Sequence, residues 1–195
     1  MKGNKMVKND RWIKKLSLEY KMIEPFEIRQ IRDGKISYGT SSYGYDMRLS
    51  NEFMVMKAYL GRDQHKDFVL DPKKASDNLF ETVIVEDYIE IPPNSVILGK
   101  TIEYFRIPRD IITIAFGKST YARCGIFVNI TPFEPEWEGY VTLSISNTTS
   151  LPAKIYANEG IAQILFLGVS ETCEISYADK RGKYQKQKII TSAKI

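Results

Sequence analysis

With 195 residues, 43% of them apolar, the chain is long enough for one domain with a sizeable core and too apolar for disorder. Its net charge of +4, from 28 Lys and Arg against 24 Asp and Glu, is too balanced to point to nucleic acid, and leaves room for a small anionic ligand. No apolar run approaches the ~18 residues a membrane helix requires. The basic start lacks the apolar segment of a secretory signal, and two distant cysteines, Cys124 and Cys173, match no disulfide or metal spacing. A reducing, cytoplasmic setting is expected.

Asn9 or Asp10 is placed to cap a short helix from about Arg11 to Lys21, with Trp12, Leu16 and Tyr20 on one face. The segment 22–39 is irregular and turn-prone around Pro25 and Asp33-Gly34. SSYGYDMRLSNEFMVM (41–56) reads as a loop entering a strand. Residues 57–79 are polar and aperiodic, an excursion from the sheet with some order expected at VLDP. From there the chain is mostly β. Strands are expected at 82–91, 95–107, 111–117, 125–130, 139–147, 153–157 and 161–169, each rich in Val, Ile, Phe or Tyr. Prolines 92, 93, 108, 132, 135 and 152 fall at strand ends, where a missing N–H does little harm. Many short strands with frequent turns predict a sandwich, jelly roll or distorted barrel. The tail SYADKRGKYQKQKII (176–190) is basic and aromatic.

Much chemistry is excluded by residue type. A zinc hydrolase needs His and Cys ligands, and here there is one histidine, His65, and no C-x-x-C. Nothing near His65 marks it as the base of a triad. Neither G-x-x-x-x-G-K-[ST] nor G-x-G-x-x-G occurs. Catalysis therefore has to use carboxylates, hydroxyls, Lys, Arg and backbone groups.

The densest polar stretch is 117–147. GKSTYARCG (117–125) fits one helical turn capped by Ser119 or Thr120 and ended by Gly125. Exposed N–H groups there, with Lys118 beside them, favour an anion. Ser119 and Arg123, four apart, share a face and can converge on one ligand atom. A plain capped turn with solvated charges is the equal alternative. In FEPEWEG (133–139), Glu136 and Glu138 read as solvated turn residues beside a packed Trp137, and Glu134 is the better ligand candidate. Asp46 in YGYD reads first as an Asx-type turn residue and second as a ligand. Gln163, in an apolar run, needs a partner if buried.

Together SSYGYDMRLS (41–50), GKSTYARCG (117–125), NITPFEPEWEGYVTLSISNTTSLPAKIY (129–156), NEGIAQILF (158–166) and SYADKRGKYQKQ (176–187) resemble the dCTP deaminase family of the dUTPase-like superfamily. The resemblance implies one mainly β domain over 1–195, a distorted β-barrel or jelly roll with a short N-terminal helix and few other helical turns. It implies a homotrimer with sites at subunit interfaces, closed by a C-terminal segment, 171–195. The implied reaction is zinc-independent hydrolysis of the 4-amino group of dCTP to dUTP and ammonia. Mg2+ accompanies the triphosphate and no protein residue holds a metal. By the same resemblance dTTP is a feedback inhibitor. Lys118, Ser119, Thr120, Tyr121, Ala122 and Arg123 match a nucleotide-binding block. Within it Ser119 and Arg123 match the pair that positions and polarises the attacking water and the base. Glu134 matches the acid facing the deoxyribose, and Thr142 and Leu143 match backbone contacts to the pyrimidine. Tyr177, Lys183 and Gln187 match tail residues that close over the triphosphate.

One position departs from the pattern. The family carries a general-base Glu in the strand after W-x-G, and here that position is Ser144. A hydroxyl with no base beside it cannot take a proton from water at neutral pH, and losing a general acid–base group costs about 10²–10⁴ in rate. Three origins fit: an introduced substitution, a natural variant in which Glu134 or Glu138 takes over, or a nucleotide-binding relative that no longer deaminates. The first is preferred because the surroundings still fit an active enzyme, and Glu138, six residues earlier, is too far along the strand. A dUTP diphosphatase or bifunctional activity, drawing on Asp46, is the alternative enzymatic reading. A non-catalytic nucleotide-binding regulator is the alternative outside enzymology.

Overall fold

The computed structural model describes residues 6–60, 70–73 and 77–194. His65 and part of the VLDP segment lie outside the described residues. Helix α1 (Asp10–Tyr20) is capped by Asn9, whose Oδ1 accepts from the Trp12 amide at 3.2 Å, and ends on Lys21 in the left-handed conformation. Its inward face is Ile13 and Ser17, with Trp12 and Leu16 packed alongside. Tyr20, expected on that face, is 66% exposed, because the helix ends there and its last turn overhangs the core.

Twelve strands follow: β1 (Ile23–Glu24), β2 (Gln30–Ile31), β3 (Tyr38–Ser41), β4 (Gly44–Met56), β5 (Phe80–Ile84), β6 (Tyr88–Ile91), β7 (Ser95–Arg106), β8 (Ile111–Gly117), β9 (Ile126–Asn129), β10 (Glu138–Asn147), β11 (Ala153–Tyr156) and β12 (Gly160–Gly168). Helix α2 (Ser119–Ala122) lies between β8 and β9, and short 3₁₀ turns flank the excursion after β4. The fold is mainly β, as expected. A ten-stranded sheet runs β2-β3-β4-β7-β10-β9, with β1 on β7, β5 on β4, and β12 joining β4 to β8; β11 and β6 form a separate ribbon.

Strand β4 joins the halves because it is long enough to pair with β3, β5, β7 and β12. The 41–56 segment is thus a hairpin turn and a 13-residue strand, ordered earlier than the loop reading expected. The single strand expected at 82–91 is two, β5 and β6. Between them Val85 donates to the Asn51 carbonyl and Asp87 accepts from the Ala157 amide, so the chain changes partners.

Strands β7 and β10 alternate strictly between buried and half-buried residues, as strands with one covered face do. In β10 the inward set is Gly139, Val141, Leu143, Ile145 and Asn147. The outward set, Glu138, Tyr140, Thr142, Ser144 and Ser146, faces away from the core. Inward residues join a core that includes Tyr45, Phe53, Phe105, Ile111, Ile164 and Phe166, with the rings of Phe105, Phe133 and Trp137 in tilted contact in series.

One carboxylate is buried in that core. Glu103 on β7 is fully enclosed and accepts from Arg48 Nε at 2.7 Å, the Arg48 amide at 2.9 Å and the Tyr45 hydroxyl at 3.2 Å. Burial pushes its carboxyl up, and the Arg48 guanidinium opposes that. At the far end of β10, buried Asn147 organises the turn: its amide donates to the Pro92 and Leu151 carbonyls and its oxygen accepts from Thr149.

Candidate functional site

Two groups of the expected site residues form, at opposite ends of β10. The first is α2. Lys118, not Ser119 or Thr120, occupies the N-cap position, and no side chain caps the turn. Gly125 ends it at φ +70°, where a Cβ would also collide with the Thr149 methyl. Ser119, Thr120, Ala122 and Arg123 are exposed, and the Arg123 amide closes the turn on the Ser119 carbonyl at 3.1 Å. Tyr121 points inward: it is 4% exposed, and its hydroxyl accepts from the Tyr156 amide at 3.0 Å. It anchors the turn, and burial raises its phenol's pKa.

Lys118 does not project toward an external anion. Its Nζ lies 2.6 Å from Asp46 Oδ2 and 2.8 Å from both the carbonyl and the hydroxyl of Ser37. Asp46, 2% exposed, also accepts from Gln30 Nε2 at 3.0 Å. Asp46 is no Asx-turn residue, being mid-strand opposite Gly39, and its carboxylate is buried against Lys118 and Gln30. The pair pins α2 to β3 and β4. Gln163, half-buried, finds its partner in Ser41 Oγ at 3.0 Å.

The second group gathers around the start of β10 and the tail. Glu134 pairs with Lys180 at 2.5 Å. Glu136 and Glu138, read as solvated, are also paired, Glu136 with Arg109 at 2.6 Å and Glu138 with Lys186 at 3.4 Å. The tail lies along this edge. Trp137 Nε1 donates to the Tyr184 carbonyl, Gln185 bridges Glu136 and Glu138, and the Tyr140 amide donates to the Gln187 carbonyl at 2.9 Å. The Gln187 side-chain amide donates to the Tyr140 carbonyl at 3.1 Å and to the Thr142 hydroxyl, which also accepts from the Thr191 amide at 3.2 Å. Tyr177 turns the tail: its amide donates to the Pro135 carbonyl and its hydroxyl accepts from the Tyr184 amide, both at 3.0 Å. Lys183 donates to the Lys194 carbonyl.

Ser144 lies between the groups, half-buried on the outward face, opposite Asn129 of β9 on one side and Leu98 of β7 on the other. Leu143 points into the core. The end of α2 reaches the Asn147 end of β10 through the Thr148 amide and the Gly125 carbonyl at 3.1 Å. Among the described residues no hydrogen bond or ion pair joins Ser119 or Arg123 to Ser144, Glu134 or the tail. None holds three or more His, Cys, Asp or Glu placed for a metal.

Sequence reasoning missed two participants, Arg109 and Asn129, and gave Thr142 a backbone role only. Thr142 acts through its hydroxyl on the tail, Arg109 ties Glu136 to Asp179, and Asn129 stands opposite Ser144. The alternation of 125–130 and 139–147 signalled two strands, but not their register.

Comparison with known proteins follows the same lines. The family model described as dCTP deaminase-like matches residues 7–169. The dCTP deaminase of Acidobacterium capsulatum is 59% identical over 189 residues, 97% of this chain and 99% of that one. That of Methylococcus capsulatus (strain Bath) is 58% identical over 192 residues, 96% and 98% of the two. In fold, the chain is similar to the crystal structure of 2'-deoxycytidine 5'-triphosphate deaminase from Agrobacterium tumefaciens, with a TM-score of 0.61 and 17% identity. The match covers 85% of this chain and 48% of that one.

Proposed function

The chain belongs to the dCTP deaminase-like family, and we propose that it is a dCTP deaminase scaffold whose hydrolytic step is weakened by Ser144. The observation that carries the reading is 59% identity to a dCTP deaminase over almost the full length of both chains. The substrate is dCTP with its own Mg2+, and the products are dUTP and ammonia. Ser119, which opens α2, and Arg123, its C-cap residue, are both exposed, and they position and polarise the attacking water and the base. Glu134 meets the deoxyribose, and Tyr177, Lys183 and Gln187 close over the triphosphate. Thr120, Ala122, Thr142 and the backbone around Leu143 frame the nucleotide, while Lys118 and Tyr121 hold the turn in place.

The missing element is a base. Hydrolysis needs a group that takes a proton from water and returns one to N3 and the leaving amine. Glu134 is tied to Lys180, and Glu138 is about 20 Å from Ser144 at roughly 3.3 Å per residue. Neither replaces the absent carboxylate, so turnover falls by about 10²–10⁴ relative to a Glu-bearing chain. The separation of α2 from the tail-bound edge supports a homotrimer in which a second copy completes each site, working in the cytoplasm, with dTTP as a competing ligand. The diphosphatase alternative rested on Asp46, whose carboxylate is spent on Lys118 and Gln30.

The test is ammonia and dUTP release from dCTP with Mg2+, for this chain and Ser144→Glu side by side, with pyrophosphate followed in the same samples. Turnover rising at least a hundredfold in the Glu variant supports the reading. Equal turnover in both overturns the argument from the base, and pyrophosphate from dUTP overturns the choice of reaction. A monomer in sedimentation overturns the shared site.

A further inference from the structure

Ser144 and Asn129 are directly opposed on neighbouring strands, on the outward face of the sheet. Opposed residues of an antiparallel pair bring their Cβ atoms to about 4.5–5.5 Å, so the two side chains meet the same small volume. Ser144 is half-buried and Asn129 exposed, and neither side chain is bonded to another of the described residues. The rest of the surroundings are neutral or already paired. Leu98 lies across the other edge, Thr142 is occupied by the tail, and Lys100, opposite Thr142, is paired with Glu52.

We propose that Ser144 and Asn129 form a two-way hydrogen-bonding pair that accepts the 4-amino edge of cytosine and the 4-oxo edge of uracil alike, making the chain a pyrimidine deoxynucleotide binder with little preference between dCTP and dUTP. The inference rests on the deaminase reading, which brings the pyrimidine to this part of β10.

The chemistry follows from what each group can offer. The cytosine edge presents an amine donor, and the uracil edge a carbonyl acceptor at the same place. An ionised carboxylate only accepts, so it satisfies the amine and sets lone pairs against the carbonyl. A hydroxyl has one rotatable donor and two lone pairs, and a primary amide carries donor and acceptor on opposite sides of a group that can flip. Both therefore satisfy either edge by rotation about side-chain bonds, with no backbone change. The substitution that weakens hydrolysis thus also removes the means of telling substrate from product, so product remains bound as firmly as substrate.

The experiment is isothermal titration of the full chain with dCTP and with dUTP, each with Mg2+, for the wild type and Asn129→Asp. The wild type is expected to bind the two nucleotides within about threefold of each other. Asn129→Asp restores an acceptor-only group at an exposed position that can carry it. One unpaired polar contact of ~1.4 kcal/mol then moves the affinity ratio about tenfold toward dCTP. Asn129→Ala is the second variant, expected to weaken both nucleotides by the same factor. A wild-type preference above tenfold for either nucleotide overturns the proposal, as does an unchanged ratio in Asn129→Asp or an unequal loss in Asn129→Ala. If Ser144→Glu deaminates dCTP while the wild type binds neither nucleotide, the proposal falls and the deaminase reading stands. If no variant binds or turns over nucleotide, both fall.

Discussion

The hydroxyl of Thr142 is the point at which the tail is fastened next to Ser144, and Thr142→Val removes it with little other change. Val and Thr have the same shape and both suit a strand, so β10 keeps its pairing. Two hydrogen bonds are lost, from the Gln187 side-chain amide and from the Thr191 amide. Gln187 keeps its bond to the Tyr140 carbonyl, but no other partner takes the Thr191 amide. At about 0.5–1.5 kcal/mol for each neutral bond, the docked tail loses roughly 1–3 kcal/mol, which raises its open population about 5- to 150-fold. Hydrogen exchange reads this directly. The Tyr140, Lys186 and Thr191 amides, which hold or are held by the tail, exchange faster, while amides between β4 and β7 keep their rates. Thr142→Ser retains the hydroxyl and restores most of the protection. Unchanged exchange at Lys186 and Thr191 in Thr142→Val refutes the idea that this hydroxyl holds the tail.

Three further outcomes are expected. Lys118→Met strands the buried Asp46 carboxylate with only the Gln30 amide, and breaking one side of a buried pair costs about 3–5 kcal/mol; an unmoved urea midpoint refutes a stabilising role. Asp179 is held below the usual carboxylate range by the Ser176 amide and by Arg109. Its contribution is therefore present above its ordinary pKa and lost as pH falls through the lowered one. Protease cleavage within 176–184 should rise below roughly pH 4, and Asp179→Asn should remove that acid dependence. Gly160→Ala sets a Cβ onto the Ser37 carbonyl, whereas Gly34→Ala meets open space at φ +69°. The first should lower the melting temperature severely and the second by the modest cost of a left-handed alanine, about 1–2 kcal/mol; equal effects refute the close approach of the two backbones.

Strand positions were largely legible in the sequence, because a strand with one covered face advertises itself by alternation. The stretch 111–117 was expected as a strand and forms β8 over those residues. The 82–91 stretch was misread as continuous because composition does not record a change of partner, and only the Asn51 carbonyl and the Ala157 amide reveal it. The candidate site residues were legible by type and not in their wiring. Ser119, Arg123, Glu134 and the tail were singled out, yet the charge of Lys118 is consumed by Asp46, 72 residues earlier. Asn129 lies fifteen residues before Ser144, and only the register of β9 on β10 makes them neighbours. Side-chain type is local information, while a partner far along the chain is a property of the closed sheet.

The contrast between Glu103 and Ser144 shows how differently the fold constrains two positions of the same sheet. The Glu103 carboxylate is enclosed and satisfied by three donors, so replacing it leaves Arg48 and Tyr45 with unpaired polar groups at a cost of several kcal/mol. Position 144 has none of these constraints. It faces outward between Leu98 and Asn129, half-buried, and among the described residues no hydrogen bond runs through its side chain. A carboxylate there meets the exposed Asn129 amide across the strand pair instead of an enclosed set of donors, and a serine strands no partner. Folding stability therefore guards the carboxylate at position 103 and places little demand on the side chain at position 144.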